Sequence, residues 1–342
     1  MLDRRACILG TAALLAAPAR AQPARDLTIA SLGGALQEAQ RATLFRPFAD
    51  ATSRRVLEET WTGGIATLRA RRLAGEARWD LVLLEGDALR LACEEGLLLP
   101  LEAAPFGGPA AFVPGAVQPC GIGHLVSAML LSWDRSRVPV APQGWADLFD
   151  PARLAGRRAL RRTARGTLEM ALLAEGVPPA ALTATLATPE GVERAFAQLA
   201  RIRDLTAWWD RPAQPGLWLA AGEVALAAAD QGRIMAQVAE GADLGIVWTR
   251  SLQAPLFWAI VAGSPNLAQA LEFLAFASAT PQQASMADRI AAAPALRAAS
   301  PAAGGQGPHA PQTRATAIAI DDGFWAGPGV ALEARLAAFA AS

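Results

Sequence analysis

The sequence predicts an α/β fold made of two lobes, each a mostly parallel sheet flanked by helices. Three observations carry this. Short apolar runs alternate with segments of helical period along most of the chain, the pattern of parallel sheets crossed over by helices. The chain has 342 residues and is 53% hydrophobic, enough for more than one packed core. Strand-like runs also end repeatedly in polar or glycine-bearing loops, which is where an open α/β sheet holds its ligand.

The first residues stand apart. Asp3-Arg4-Arg5 precedes the apolar run Ala6–Ala17, then Pro18 and Ala19-Arg20-Ala21. This is the layout of an export signal over residues 1–21, with Gln22 the expected mature start and either the Sec or the twin-arginine route open. Cys7 lies too early for a lipoprotein cysteine, so a soluble protein exported to the periplasm is expected. The formal net charge is zero, and about −2 once the signal is removed, so nothing suggests nucleic-acid binding. Lysine and tyrosine are absent, so arginine carries all the permanent positive charge.

In chain order, Asp26–Ser31 reads as a strand, Gly33-Gly34 as a turn, and Leu36–Ala49 as a helix. Arg55–Glu59 is a second strand, Ile65–Leu73 a helix, and Trp79–Leu84 a buried strand ending at Glu85-Gly86-Asp87. Pro105–Pro119 is a surface connection rich in Pro and Gly, followed by the apolar segment Gly121–Trp133. Gly144–Phe149 opens a short helix anchored by Trp145. Gly156–Leu160 turns into a strand, and Thr163–Thr167 is a polar loop before a helix that stops ahead of Pro178. Free N–H groups and the positive dipole end of that helix would face a ligand. Pro189–Ile202 is an amphipathic helix, and Thr206–Asp210 and Gly222–Arg233 bring two more strand-end loops. Leu244–Trp248 and Leu256–Val261 return the chain, Ala268–Ser278 is a helix, and Asp321–Trp325 precedes a closing helix.

Several of these stretches resemble one family. "GWADLFDP…LAGRRALR…TLEMALLAEG", "SLGGALQEAQRATLFRPFADAT", "ARWDLVLLEGDALRLACEEGLLLPLE" and "GEVALAAADQGR" occur in the order and spacing of the extracytoplasmic solute-binding proteins of ABC importers, nearest the spermidine/putrescine type. The resemblance implies a periplasmic-binding-protein type 2 fold with two hinge crossings. Residues 26–128 with 250–342 would form the first lobe, and 129–249 the second. It also implies a monomer that binds a small solute between its lobes and delivers it to an inner-membrane ABC permease, without catalysis. A sensory receptor on the same fold, and more remotely a periplasmic enzyme using Glu85, Asp87 and His124, are the other readings.

The strand-end loops supply the candidate ligand contacts. In the first lobe these are Ser31, Gly33, Gly34, Trp61, Thr62, Glu85 and Asp87. In the second they are Thr163, Arg165, Thr167, Trp209, Asp230 and Arg233, with Trp258 near the return crossing. Tryptophan faces suit apolar or cationic ligands. Arg161, Arg162 and Arg165 beside two threonines suit a carboxylate or phosphonate. The acids of the polyamine receptors are largely missing: Thr163, Gly166 and Ile260 stand at their positions. A zwitterion held by Arg165 and by Asp230 with Glu85 or Asp87 is therefore the alternative to a polyamine. No cofactor or metal is expected, since Gly33-Gly34 lacks the dinucleotide pattern and only His124 and His309 are histidines. Cys93 and Cys120 form either a disulfide or two buried thiols.

Overall fold

The computed structural model describes residues 25–75, 78–290, 292–300 and 311–342. The stretch read as an export signal, Gln22, His309 and most of the Pro/Gly loop before Pro311 lie outside them. The strands are β1 (Leu27–Ser31), β2 (Val56–Thr60), β3 (Leu81–Glu85), β4 (Val117–Gln118), β5 (Gly121–Asp134), β6 (Arg158–Arg161), β7 (Thr206–Trp209), β8 (Leu226–Asp230), β9 (Leu244–Ile260), β10 (Ala293–Pro294) and β11 (Ile318–Ala319). The first-lobe helices are α1 (Gly34–Gln40), α2 (Arg46–Thr52), α3 (Ile65–Leu73) and α4 (Gly86–Glu94); α1 runs into α2 through a wide turn at Arg41–Phe45. Then follow α5 (Trp145–Leu148), α6 (Ala164–Glu175), α7 (Leu182–Leu186), α8 (Pro189–Ala200), α9 (Gln214–Ala220) and α10 (Gln231–Ala239). The chain ends with α11 (Leu267–Ala277), α12 (Thr280–Ile290), α13 (Pro311–Thr316), α14 (Asp322–Ala326) and α15 (Val330–Ala341).

The main strand order is β2-β1-β3-β9-β5-β8-β6-β7. The outer strands of each half pair in parallel, β1 with β2 and β3, β6 with β7 and β8. The long strands β5 and β9 run antiparallel to each other through the middle. Both halves are covered on two faces, which is why β3 and β8 read as continuous apolar runs rather than alternating ones. The sequence predicts two separate pieces at Leu244–Trp248 and Leu256–Val261. They form one strand because both lie on the crossing between the lobes.

The hinge is visible as an irregularity. Met129 pairs with Leu252 but Leu131 pairs with Val247, so β9 carries extra residues where the lobes meet. Arg250, in this bulge, has φ 57°. Its carbonyl accepts a 2.8 Å hydrogen bond from the Trp145 indole, so the tryptophan that anchors α5 also fixes the bulge. A third segment crosses nearby: β11 runs parallel to β9 at Leu252 and Gln253. It leads into α14 and α15, whose Phe324, Trp325 and Leu336 join the core of the second lobe around Leu168 and Leu172. The sequence assigns 250–342 to the first lobe, and this part of the tail packs on the second. The tail's apolar side chains find their cover on α6 and α8.

Asp80 ties the first lobe together. Fully buried, it accepts from both terminal nitrogens of Arg25 (2.8 Å each), the Thr28 amide (2.8 Å), the Ser264 hydroxyl (2.6 Å) and Asn266 Nδ2 (3.1 Å). These bonds replace the water that a buried carboxylate gives up. Cys93 and Cys120 are joined in a disulfide, with Cα atoms 5.8 Å apart, linking α4 to the approach to β5. No described helix is long and apolar enough to cross a membrane.

Candidate functional site

The strand ends of both lobes meet at a cavity over the hinge. Glu85 and Leu36 enter from the first lobe. Arg161, Arg165, Trp209, Asp230 and Arg233 enter from the second, and Ser127, Met129, Leu252, Ala254 and Leu256 form the floor on the crossing strands. The carboxyl ends of β3, β6, β7 and β8 all point here, as an open α/β sheet dictates.

The lobes are bridged by charge. Arg161 Nη1 donates to Glu85 Oε1 at 2.9 Å, and Arg165 Nη1 to Glu85 Oε2 at 2.8 Å. Arg165 also reaches Asp87 (3.5 Å) and Asp322 (2.6 Å). Burial pushes the Glu85 carboxyl up, but Arg161 and Arg165 outweigh it and hold the group down at about 2. Burial opposes the charge on Arg165 too, yet Glu85, Asp87 and Asp322 together raise its pKa further, so it is a permanent cation. Asp322 shows the converse: burial and the like charges of Asp87 and Glu85 outweigh Arg165 and raise its pKa. At the other end of the cavity Arg233 Nη2 donates to the Gly33 carbonyl at 2.9 Å. Gly34 has φ 55°, and an added β-carbon would fall 1.8 Å from the Arg233 guanidinium. That approach is open only to glycine.

Asp230 caps α10. Its Oδ1 accepts from the amides of Gly232 (3.0 Å) and Arg233 (3.4 Å), and its Oδ2 accepts from the Ser127 hydroxyl (2.8 Å). Asp230 and Arg233 do not pair with each other: the carboxylate serves the helix and the guanidinium serves the other lobe. Among the described residues no salt bridge joins Asp230 to a cation or Arg233 to a carboxylate, so the cavity holds one carboxylate and one guanidinium without a charged mate.

The start of α6 differs from expectation. Its free N–H groups are already used: Ala164 and Arg165 donate to Glu333 (2.8 and 3.1 Å), and Gly166 donates to Glu169 (2.8 Å). A ligand anion is therefore not received by this helix end. Thr163 Oγ1 donates to the Arg165 carbonyl (3.1 Å) and Thr167 Oγ1 to the Arg161 carbonyl (3.0 Å), so both threonines shape the loop and neither lines the cavity.

The other sequence candidates divide. Glu85, Arg165, Trp209, Asp230 and Arg233 line the cavity. Gly33 and Gly34 sit at its rim through Arg233, and Asp87 stands behind Arg165. Ser31 is fully buried with its hydroxyl on Gln40, and Thr62 is exposed away from the cavity. Trp61 is buried in the first lobe, edge-on to Trp79, its indole N–H donating to the Leu83 carbonyl at 3.1 Å. Trp258 is 1% exposed and packs edge-on to Phe45 and Phe273. Ser31 and Trp258 turn into the lobe by strand alternation, while Trp61 packs into it and Thr62 faces solvent just beyond the end of β2. Arg162 likewise turns outward to Asp210, while Arg161, one residue earlier, turns in. Trp209 is a cavity wall fixed by donation to the Ala228 carbonyl at 3.0 Å. The candidate set omits Ser127 and Met129, whose only sequence signal is one hydroxyl in an apolar run, and Asp322, Glu169 and Glu333, which only the tail's path brings near.

A two-lobed α/β scaffold with an interlobe cavity over two crossing strands defines a ligand-binding receptor, and the comparisons agree. Residues 44–312 match the family described as bacterial extracellular solute-binding protein, and the chain belongs to it. Its sequence is 41% identical over 98% of its length, and 96% of the relative's, to a gamma-aminobutyric acid-binding protein of Pseudomonas aeruginosa. Among solved structures it is similar to the binding protein MotA of A. tumefaciens B6 in complex with glucopine (TM-score 0.85, 27% identity, 92% of this chain and 100% of the other). It is also similar to the Atu4243 GABA receptor (TM-score 0.80, 27% identity, 92% and 98% covered). A substrate-binding protein of a Bradyrhizobium japonicum ABC transporter superposes with TM-score 0.83 at 28% identity, covering 92% and 99% of the two chains. The spermidine/putrescine protein PotD of Streptococcus pneumoniae, at 16% identity and TM-score 0.72, shares the fold. The protein is accordingly a solute-binding receptor of the ABC-transporter type.

Proposed function

We propose that the protein is a periplasmic, monomeric receptor for gamma-aminobutyrate or a closely similar short ω-amino acid, which it delivers to an inner-membrane permease. The observation that carries this reading is the pairing inside one cavity of a carboxylate without a cationic mate, Asp230, with the guanidiniums of Arg233 and Arg161. A ligand ammonium meets Asp230, and its carboxylate meets the arginines. The chain between them lies against Trp209, Met129 and Leu256. A polyamine would bring only positive charge to a cavity that already holds Arg161, Arg165 and Arg233, which disfavours it. The GABA-binding relative supports the same ligand class.

Binding does no chemistry. A ligand that touches Asp230 and Arg161 on the second lobe and Leu36 on the first favours the closed form because it makes more contacts there, and closure presents one surface to the permease. Calorimetry tests this on the mature chain. Asp230→Asn and Arg161→Ala should each weaken GABA binding at least roughly tenfold, the worth of a charge-assisted hydrogen bond. Affinity unchanged in both variants would remove the assignment.

A further inference from the structure

The loop that carries Arg161 and Arg165 into the cavity is held only in part by its own hydroxyls, Thr163 and Thr167. Arg165 (φ −58°, ψ 125°) and Gly166 (φ 83°, ψ −47°) interrupt the first turn of α6, so the helical hydrogen-bond ladder does not define this stretch. The rest of what defines it comes from the other end of the chain. Glu333, on α15, accepts both the Ala164 and Arg165 amides at 2.8 and 3.1 Å. Trp325, on α14, donates its indole N–H to Glu169 Oε1 at 2.6 Å, and the other oxygen of Glu169 holds the Gly166 amide. Asp322 accepts from Arg165 Nη2 at 2.6 Å and lies so close to Gly86 of the first lobe that an added β-carbon there would collide with it.

These contacts form a relay. Asp322 orients the Arg165 guanidinium, Arg165 and Arg161 share the two oxygens of Glu85, and Glu85 thereby aims Arg161 into the cavity. Glu333 and Trp325 lie outside the cavity lining, and so does Asp322.

We infer that the C-terminal segment from Asp322 to Glu333 is part of the binding machinery: Asp322, Trp325 and Glu333 are positioning residues that set the ligand-binding loop Arg161–Thr167. The inference rests on the reading of the cavity as the ligand site, but it makes a claim about the loop that can be tested without any ligand.

The experiment uses the full mature chain with Asp322→Ala, Glu333→Ala and Glu333→Gln, and with Arg335→Ala as a control. Arg335 sits on the same helix and pairs with exposed Glu193 instead. Two quantities are read, GABA affinity by calorimetry and amide hydrogen exchange of Ala164, Arg165 and Gly166. Asp322→Ala and Glu333→Ala should weaken affinity roughly tenfold, the loss of one charge-assisted contact. In Glu333→Ala the Ala164 and Arg165 amides should exchange roughly tenfold faster, with Leu168–Leu173 and the urea midpoint little changed. Glu333→Gln, which keeps an acceptor, should recover part of both effects, and Arg335→Ala should change neither. Loop exchange in Glu333→Ala equal to that of the unmodified protein would overturn the inference, whatever the affinity. If the unmodified protein does not bind GABA, the ligand assignment fails while the exchange result still decides whether the tail sets the loop. Faster loop exchange with affinity intact would also overturn it, because the tail would then shape a loop that binding does not use.

Discussion

Glu85→Gln is the most informative single change, because Glu85 is held entirely by residues of the opposite lobe. Its two oxygens take Arg161 at 2.9 Å and Arg165 at 2.8 Å. Despite burial these cations hold its carboxyl at about 2, against an ordinary 4.5. Ionised Glu85 therefore favours the bridged arrangement of the two lobes over one in which they have parted. The folded value is depressed, so the contribution is complete at neutral pH and is lost only as pH falls from about 4.5 towards 2. Replacing the carboxylate by an amide removes most of it and leaves Arg161 without its anchor. At pH 7 the variant should bind GABA roughly thirty- to a hundredfold more weakly. The assay is calorimetry on Glu85→Gln, Arg165→Ala and the double variant. If the two residues act through one contact, the double variant should be little worse than the poorer single variant. Strictly additive losses, or an affinity within twofold of the unmodified protein, would refute the claim that this ion pair closes the lobes.

Other expectations concern stability. Trp258→Ala should destabilise the protein by about 3–5 kcal/mol in urea unfolding, as truncation of a fully buried aromatic does, and a loss below about 1 kcal/mol would place Trp258 outside the core. Burial pushes the His124 imidazole down to about 3 from an ordinary 6.5, and among the described residues neither ring nitrogen has a hydrogen-bond partner. The unfolded chain therefore binds a proton that the native state excludes, and stability should fall by up to about 1.4 kcal/mol per pH unit as pH drops below 6.5. His124→Leu should flatten that slope, and identical pH profiles would count against it. Reducing the Cys93–Cys120 bridge, which spans 27 positions, should cost roughly 3–4 kcal/mol by releasing the unfolded chain. Equal urea midpoints with and without reductant would contradict this.

The scaffold was largely legible in the sequence. The helix read at Ile65–Leu73 is present with those bounds, and β1, β3, β6 and β8 lie where apolar runs end in polar loops. Those readings rest on local periodicity, which one stretch of chain displays by itself. The site was legible only in part. Asp230, Glu85 and Trp209 stand at strand ends, Arg233 in the first turn of α10, and all four line the cavity. Trp258 and Trp61 carry the same residue type at similar positions but turn inward, because the side a strand residue faces depends on register with its neighbours. The α6 start was read as an open anion site because nothing local shows that Glu333, 169 positions away, covers it. Arg161 and Arg162 illustrate the limit: identical residues, adjacent in sequence, one in the cavity and one on the surface.

The central claim is that a zwitterion with opposite charges at its ends closes this cleft. Titrating the mature protein at pH 7 with GABA, butylamine and butyrate tests it most directly. The account predicts saturable binding of GABA, with the two single-charge analogues each weaker by at least roughly a hundredfold, since each leaves one charged group of the cavity unmet. Butylamine or butyrate binding as tightly as GABA, or a polyamine binding more tightly, would contradict it.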